Sequence, residues 1–282
     1  MFENCIDLHY NCYQQVGFSI VPYINRAINV SMGNRCIATS IEELDSLKLN
    51  HRKFTRINLV EIWRNENISF TTKILTTFWW GGISHQYQAP IFYRANNLDN
   101  FSSISTELKK SLEELLLSPD EGSFNKSFGI IYEKLSKGKY KINGINTSFF
   151  TKIFQFYFES NPIRLIDFPH PIIADQWSLK AIYAEMISQN YDGNEIFKTS
   201  FLNGNNKLYV NFRPDRNEFD SYLKFIQFFN CRVNDLRKSY HNLTPFRLEE
   251  ILFGWARDLN NPENPRFIAE NIIRNHLNLN LL

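Results

Sequence analysis

In the run KINGINTSFFTKIFQF, residues 141–156, a polar turn with one glycine leads into a segment where apolar side chains crowd round a single lysine, Lys152. Read as helix, tight turn and second helix, it has a physical use. The turn's N–H groups and the positive end of the second helix's dipole point the same way and form an anion cradle that needs no lysine. Gly144 allows a positive φ and close backbone approach, while Asn146, Thr147 and Ser148 offer short polar groups for a cap or a phosphate contact. The same pattern also serves as an ordinary connection in all-α proteins, and the local residues leave both readings open. Lys152 is open three ways. Burial among Phe149, Phe150, Ile153, Phe154 and Phe156 favours a neutral, nucleophilic amine. The ammonium could equally meet a phosphate, or its stem could snorkel past the core to solvent. A second group, Asp175 in PIIADQWSLKAI, stands at the head of a helical segment, where a carboxylate accepts from N–H groups two or three residues on.

The elements that must position these groups read as helices. Asn67 or Ser69 can cap a segment through ISFTTKILTTFWW, with Ile68, Phe70, Ile74, Leu75 and Phe78 at helical spacing before Gly81 and Gly82. SISTELKKSLEELLL is amphipathic, with Ser105 or Thr106 near its start and Pro119 beyond its end. EGSFNKSFGIIYEKLSKG turns Phe124, Phe128, Ile131 and Leu135 inward and stops at Gly138. Further helices are expected over 175–189, 218–237 and 244–258, the last with a Thr-Pro start. Only short pieces such as NKLYVNF suggest strand, so the expected fold class is all-α.

Bulk properties narrow the partners. Hydrophobic residues make up 43% of the 282, with 25 Phe and 13 Tyr, too apolar for a disordered chain. A net charge of +2 means that a polyanion must be met by a local basic surface. The four cysteines, Cys5, Cys12, Cys36 and Cys231, form no CxxC pair and the six histidines do not gather round them, which suggests free thiols and no metal site. No apolar run approaches the roughly 20 residues that span a bilayer, and MFENCIDLHY lacks a basic region followed by an apolar stretch. A cytoplasmic protein without a membrane partner is expected.

INGINTSFFTKIFQF resembles the helix-hairpin-helix of DNA glycosylases, whose hairpin carries two glycines around a hydrophobic residue. Gly144 and Ile145 fit; Asn146 replaces the second glycine, and asparagine tolerates left-handed backbone better than most residues. PIIADQWSLKAI is similar to the family's proline-then-aspartate element, with Asp175 as the aspartate. Taken in order, TTFWWGG, SFFTK, PIIADQW and LEEILF are similar to a bacterial branch of proteins with the 8-oxoguanine DNA glycosylase fold, over roughly Phe70 to Phe253. The first sixty or so residues resemble nothing nameable.

The resemblance implies a two-lobed helix-hairpin-helix glycosylase fold acting as a single catalytic unit over 1–282. Within it, 1–60 has no assigned role and 61–120 is a helical lobe with a base-flipping or insertion loop at 79–94. Residues 121–190 carry the hairpin and catalytic aspartate, and the helices of 191–282 pack on the first lobe. Asp175 would stabilise the oxocarbenium-like sugar and orient water. In bifunctional members an amine just after the turn attacks the sugar; that place falls on Ser148, and Lys152 lies one turn further along the same face. A monofunctional, water-using enzyme is therefore implied, with lyase chemistry through Lys152 left open. Trp79, Trp80, His85, Gln86 and Tyr87 correspond to the part that fills the duplex and reads the orphan base, or else the tryptophans are core; Trp177 is a pocket wall or a helix anchor. Lys137, Lys139, Lys141, Arg164 and Lys180 could line a phosphate track. The partner is double-stranded DNA, met by a monomer, with no organic cofactor or metal beyond a monovalent cation that hairpin carbonyls could hold. Oxidised guanine and a hypermodified phage base are both open as substrate. The alternative readings are a non-catalytic helix-hairpin-helix DNA-binding module and, more remotely, a helical interaction protein.

Overall fold

A computed structural model describes residues 28–29, 53–54, 56–80, 97–142, 144–161, 168–201, 207–213, 217–255 and 264–277. The described residues form nine α-helices and two small antiparallel ladders, so the protein is mostly helical. They fall into two compact units, divided between Phe168 and Pro169.

In the first unit a two-residue ladder pairs β1 (Ile28–Asn29) with β2 (Lys53–Phe54). Five helices follow: α1 (Arg56–Arg64), α2 (Phe70–Trp80), α3 (Asn97–Leu116), α4 (Glu121–Ser136) and α5 (Thr147–Ser160). Asp120 caps α4 by accepting from Ser123 N, and Phe124, Phe128, Ile131 and Leu135 face inward at the expected spacing. From α5 the row Phe150, Phe154 and Phe158 meets them: Phe128 packs edge-on to Phe154 at 4.8 Å and Tyr132 to Phe150 at 5.0 Å. The opposite side of α5 presents Tyr157 to Trp63 of α1 and Phe70 of α2. Everything from Phe150 to Phe158 is buried, so α5 is the unit's central helix.

One start differs from the sequence reading. Helix α3 begins at Asn97, and Ser105 is a buried interior residue whose Oγ donates to Phe101 O at 2.8 Å and lies 2.7 Å from Thr71 Oγ1. A serine that bonds the carbonyl four residues back looks like a cap in sequence and serves here as a polar rivet between α3 and α2.

The second unit holds α6 (Gln176–Ser188), a 3₁₀ turn (Gly193–Glu195), strands β3 (Phe197–Phe201) and β4 (Leu208–Phe212), α7 (Glu218–Leu236), α8 (Pro245–Trp255) and α9 (Pro265–His276). Residues Trp177 to Met186 of α6 are buried without interruption, which makes it the hub. Trp177 Nε1 donates to Leu252 O of α8 at 2.8 Å, and fully buried Glu185 accepts from Arg232 of α7 at 3.0 Å. Lys180 meets Glu270 of α9 at 2.5 Å. The β3–β4 hairpin, of which only the NKLYVNF fragment was expected as strand, pairs Phe197 with Phe212 through Phe201 with Leu208.

The segment leading into α6 is pinned from α7. Asn230 accepts from His170 N and donates to His170 O, both at 3.0 Å, and Tyr222 Oη donates to Ile172 O at 3.1 Å. Burial of the His170 ring nitrogen pushes its pKa down from 6.5 to about 4. Above pH 6.5 folded and unfolded forms are both neutral there; below it the unfolded chain takes up the proton first, and stability falls until the folded form also protonates near pH 4. The shift corresponds to roughly 3 kcal/mol across that window. Chemical denaturation at a series of pH values should show this slope in the wild type, and His170→Leu should flatten it between pH 6.5 and 4.

Candidate functional site

Two helix starts carry the groups singled out by the sequence, one in each unit. The first is the turn into α5. Ile145 N donates to Ile142 O at 3.0 Å, and the third residue of the turn thus closed, Gly144, has φ of 89° and is exposed. A side chain at that φ is strained, so this position requires glycine as the sequence reading expected. Asn146 corrects a detail of that reading. It has φ −100° and ψ −179°, the extended conformation of an ordinary N-cap, and does not use left-handed backbone.

Its side chain nonetheless makes no capping bond. That sets α5 apart from other described starts: Asp120, Asp175, Asn217 and Asn264 each accept from an N–H of the helix that they precede, and Ser69 Oγ and Thr244 Oγ1 do likewise. The N–H of Ser148 has no acceptor among the described residues. Exposed Asn146 and half-buried Thr147 and Ser148 surround this open start, as an anion site requires.

Lys152 is 4% exposed, so its stem does not snorkel to solvent. Its amine turns back along α5, donating to Ser148 O at 2.6 Å and Ser148 Oγ at 3.1 Å, and lies 5.1 Å from the centre of the Phe149 ring. The side chain therefore carries its nitrogen to the first turn of the helix, beside the residue in the position where the glycosylase pattern has its amine.

The second start is that of α6. Asp175 is half-buried, with extended backbone, and its Oδ1 accepts from Trp177 N at 3.0 Å, Ser178 N at 2.9 Å and Ser178 Oγ at 3.2 Å. One oxygen thus does all the capping. Among the described residues, Oδ2 accepts nothing.

Next to it, Gln176 does something that local sequence did not reveal. Its side-chain amide pairs with Val210 of β4 as a neighbouring strand would, Oε1 accepting from Val210 N at 3.0 Å and Nε2 donating to Val210 O at 2.6 Å. The alternation in LYVNF was the available signal for the strand, but not for its attachment.

No family model matches this chain, and neither curated proteins nor solved structures give a match. Function must be argued from the residues themselves.

The remaining expected positions divide as follows. Trp177 is buried and anchors α6 to α8. Trp79 and Trp80 end α2, but their side chains, with all of His85, Gln86, Tyr87 and Arg164, lie outside the described residues. Lys180 cannot line a phosphate track: it is 3% exposed and committed to Glu270, with desolvation the main cause of its lowered pKa. Lys137 and Lys139 face Glu133 and Glu107, while exposed Lys141, at the entrance to the turn, forms no ion pair among the described residues. Cys231 is an exposed free thiol, and no group of metal-binding side chains occurs among the described residues.

The two turn residues should separate structural from functional demand. Gly144→Ala should destabilise the protein by about 1 kcal/mol because of its φ. Asn146→Ala removes no capping bond and should leave the melting temperature nearly unchanged, so any loss of anion binding would come from the turn itself. Thermal melts of both variants check the expectation.

Proposed function

We propose that the protein is a DNA N-glycosylase, which hydrolyses the bond between a modified base, swung out of the duplex, and its sugar. The observation that carries the reading is the division of labour at Asp175: one oxygen holds the carboxylate rigidly at a helix start, and Oδ2 accepts nothing among the described residues. Cleavage of an N-glycosidic bond builds positive charge on the sugar, and a fixed carboxylate with an oxygen to spare stabilises that charge and can orient a water.

The open start of α5 supports the same reading. A glycosylase must grip the backbone of the strand from which the base leaves, and exposed Gly144 followed by a helix start without a side-chain cap from Asn146 and by short polar side chains suits a phosphate. On this reading Gly144, Asn146, Thr147 and Ser148 form the clamp and the chemistry is monofunctional. The position of the Lys152 amine favours one second reading, in which that amine attacks the sugar C1′, displaces the base and forms a Schiff base that permits strand cleavage.

The test is to incubate the protein with an 8-oxoguanine duplex and with DNA from several sources, including phage with modified bases, and to assay abasic sites. Asp175→Asn is an informative variant because asparagine caps a helix as well as aspartate does. It should retain the fold and DNA affinity while losing base release by at least about 100-fold. Borohydride added in parallel should trap no adduct if water is the nucleophile; an adduct lost in Lys152→Met would transfer that role to Lys152. DNA binding without base release from any substrate would leave a binding module instead.

A further inference from the structure

The β3–β4 hairpin has two unlike faces. Phe197, Leu208, Val210 and Phe212 turn inward and are buried, Phe197 and Phe212 against Phe225 of α7. On the other face Lys198 stands opposite Asn211 and Ser200 opposite Tyr209, while Lys207, just before β4, places its amine 5.4 Å from the centre of the Tyr209 ring. Lys198, Ser200, Lys207 and Asn211 are exposed and Tyr209 is half-buried.

The charge on this face is unbalanced. Lys109, Lys139, Lys224 and Lys238 each face a carboxylate, whereas Lys198 and Lys207 form no ion pair among the described residues. The face is also attached to the candidate site: besides the paired bonds to Val210, Gln176 Nε2 lies 3.4 Å from Asn211 Oδ1, one residue along the chain from Asp175.

We propose that this face is a second nucleic-acid contact, which binds the strand flanking the nucleotide presented to Asp175. Lys198 and Lys207 take phosphates, Tyr209 stacks on an unpaired base and Asn211 hydrogen-bonds to a sugar or base edge. Two lysines, a cation-bearing aromatic, an amide and a hydroxyl match the sugar-phosphate chain and the bases it carries. They do not match a protein partner, whose interface core would be richer in apolar groups and poor in lysine. The lysines lie at positions about four strand residues apart, roughly 13 Å, so they reach different phosphates of one strand and not a single small anion. The choice of the strand beside Asp175 rests on the glycosylase reading; the attraction of the face for nucleic acid does not.

The experiment measures binding of the full chain to a labelled duplex and to its single strand by fluorescence anisotropy over a salt series, with base release assayed alongside. Lys198→Ala/Lys207→Ala should lower the slope of log affinity against log salt by about one per lysine, and Tyr209→Ala should weaken single-strand binding about tenfold or more. Lys109→Ala/Lys110→Ala, in the other unit, should change neither. The lysine substitutions are on exposed side chains, and thermal melts establish that the variants are folded. Base release by a wild type whose salt slope is unchanged in the double lysine variant would overturn the second contact and leave the glycosylase reading standing. A reduced slope without base release from any DNA would support the contact and remove the glycosylase reading. Failure of the wild type to bind either DNA at low salt would overturn both.

Discussion

A helix with no solvent face can meet the outside only at its ends, and each unit of this chain is organised round one such helix. In α5 burial is unbroken from Phe150 to Phe158, and in α6 from Trp177 to Met186. Polar groups inside these stretches must find partners, because a buried charge without one costs several kcal/mol. Glu185 has Arg232, Lys180 has Glu270, Thr151 Oγ1 donates to Thr147 O, and Lys152 reaches back to Ser148. The ion pairs of α6 join it to different helices and so fix its axis and rotation.

The two starts solve the same problem differently. Every α-helix begins with N–H groups that have no partner within it. At α6 a carboxylate oxygen takes two of them, and this also orients the carboxylate. At α5 the cap residue contributes its backbone carbonyl to Phe149 and Phe150 but no side-chain acceptor. The first arrangement holds a negative charge in place; the second presents positive backbone dipoles at an exposed glycine turn. The glycosylase proposal draws on both, the carboxylate for a cationic sugar and the helix-start amides for a phosphate.

What the sequence made legible was local. The inward row of α4, the positive φ of Gly144 and the cap at Asp175 depend on residues within a turn or two of one another, and periodicity and residue type report on that range. Ser105 misled because a hydroxyl serves equally as a cap and as a bond to the carbonyl four residues back; Thr71, 34 positions away, is what draws it into the interior. Lys180 reads as a surface lysine until Glu270, 90 positions on, is brought against it. Asn146 suggested a left-handed turn because glycine is usual there, yet the backbone needs only one such residue, and Gly144 supplies it. For Ser105 and Lys180 the decisive partner lay beyond the reach of spacing rules.

Gln176 shows how such a distant partner builds a site. A two-stranded ladder has two open edges, and an unpaired edge invites association with another chain. By matching both the N–H and the C=O of Val210 with one side-chain amide, Gln176 closes part of the outer edge of β4 without a third strand. Because Gln176 is the first residue of α6, the same two bonds that protect the edge tie the ladder to the helix that Asp175 caps. The carboxylate and the basic outer face of the hairpin are therefore positioned by one attachment, with α7 supporting the ladder from its apolar side and pinning the segment that leads to Asp175 through Tyr222 and Asn230. The spacing between the proposed reacting carboxylate and the proposed strand contact is thus set by bonds between backbone and a half-buried amide, whereas the long lysine side chains remain free to adjust to the phosphates.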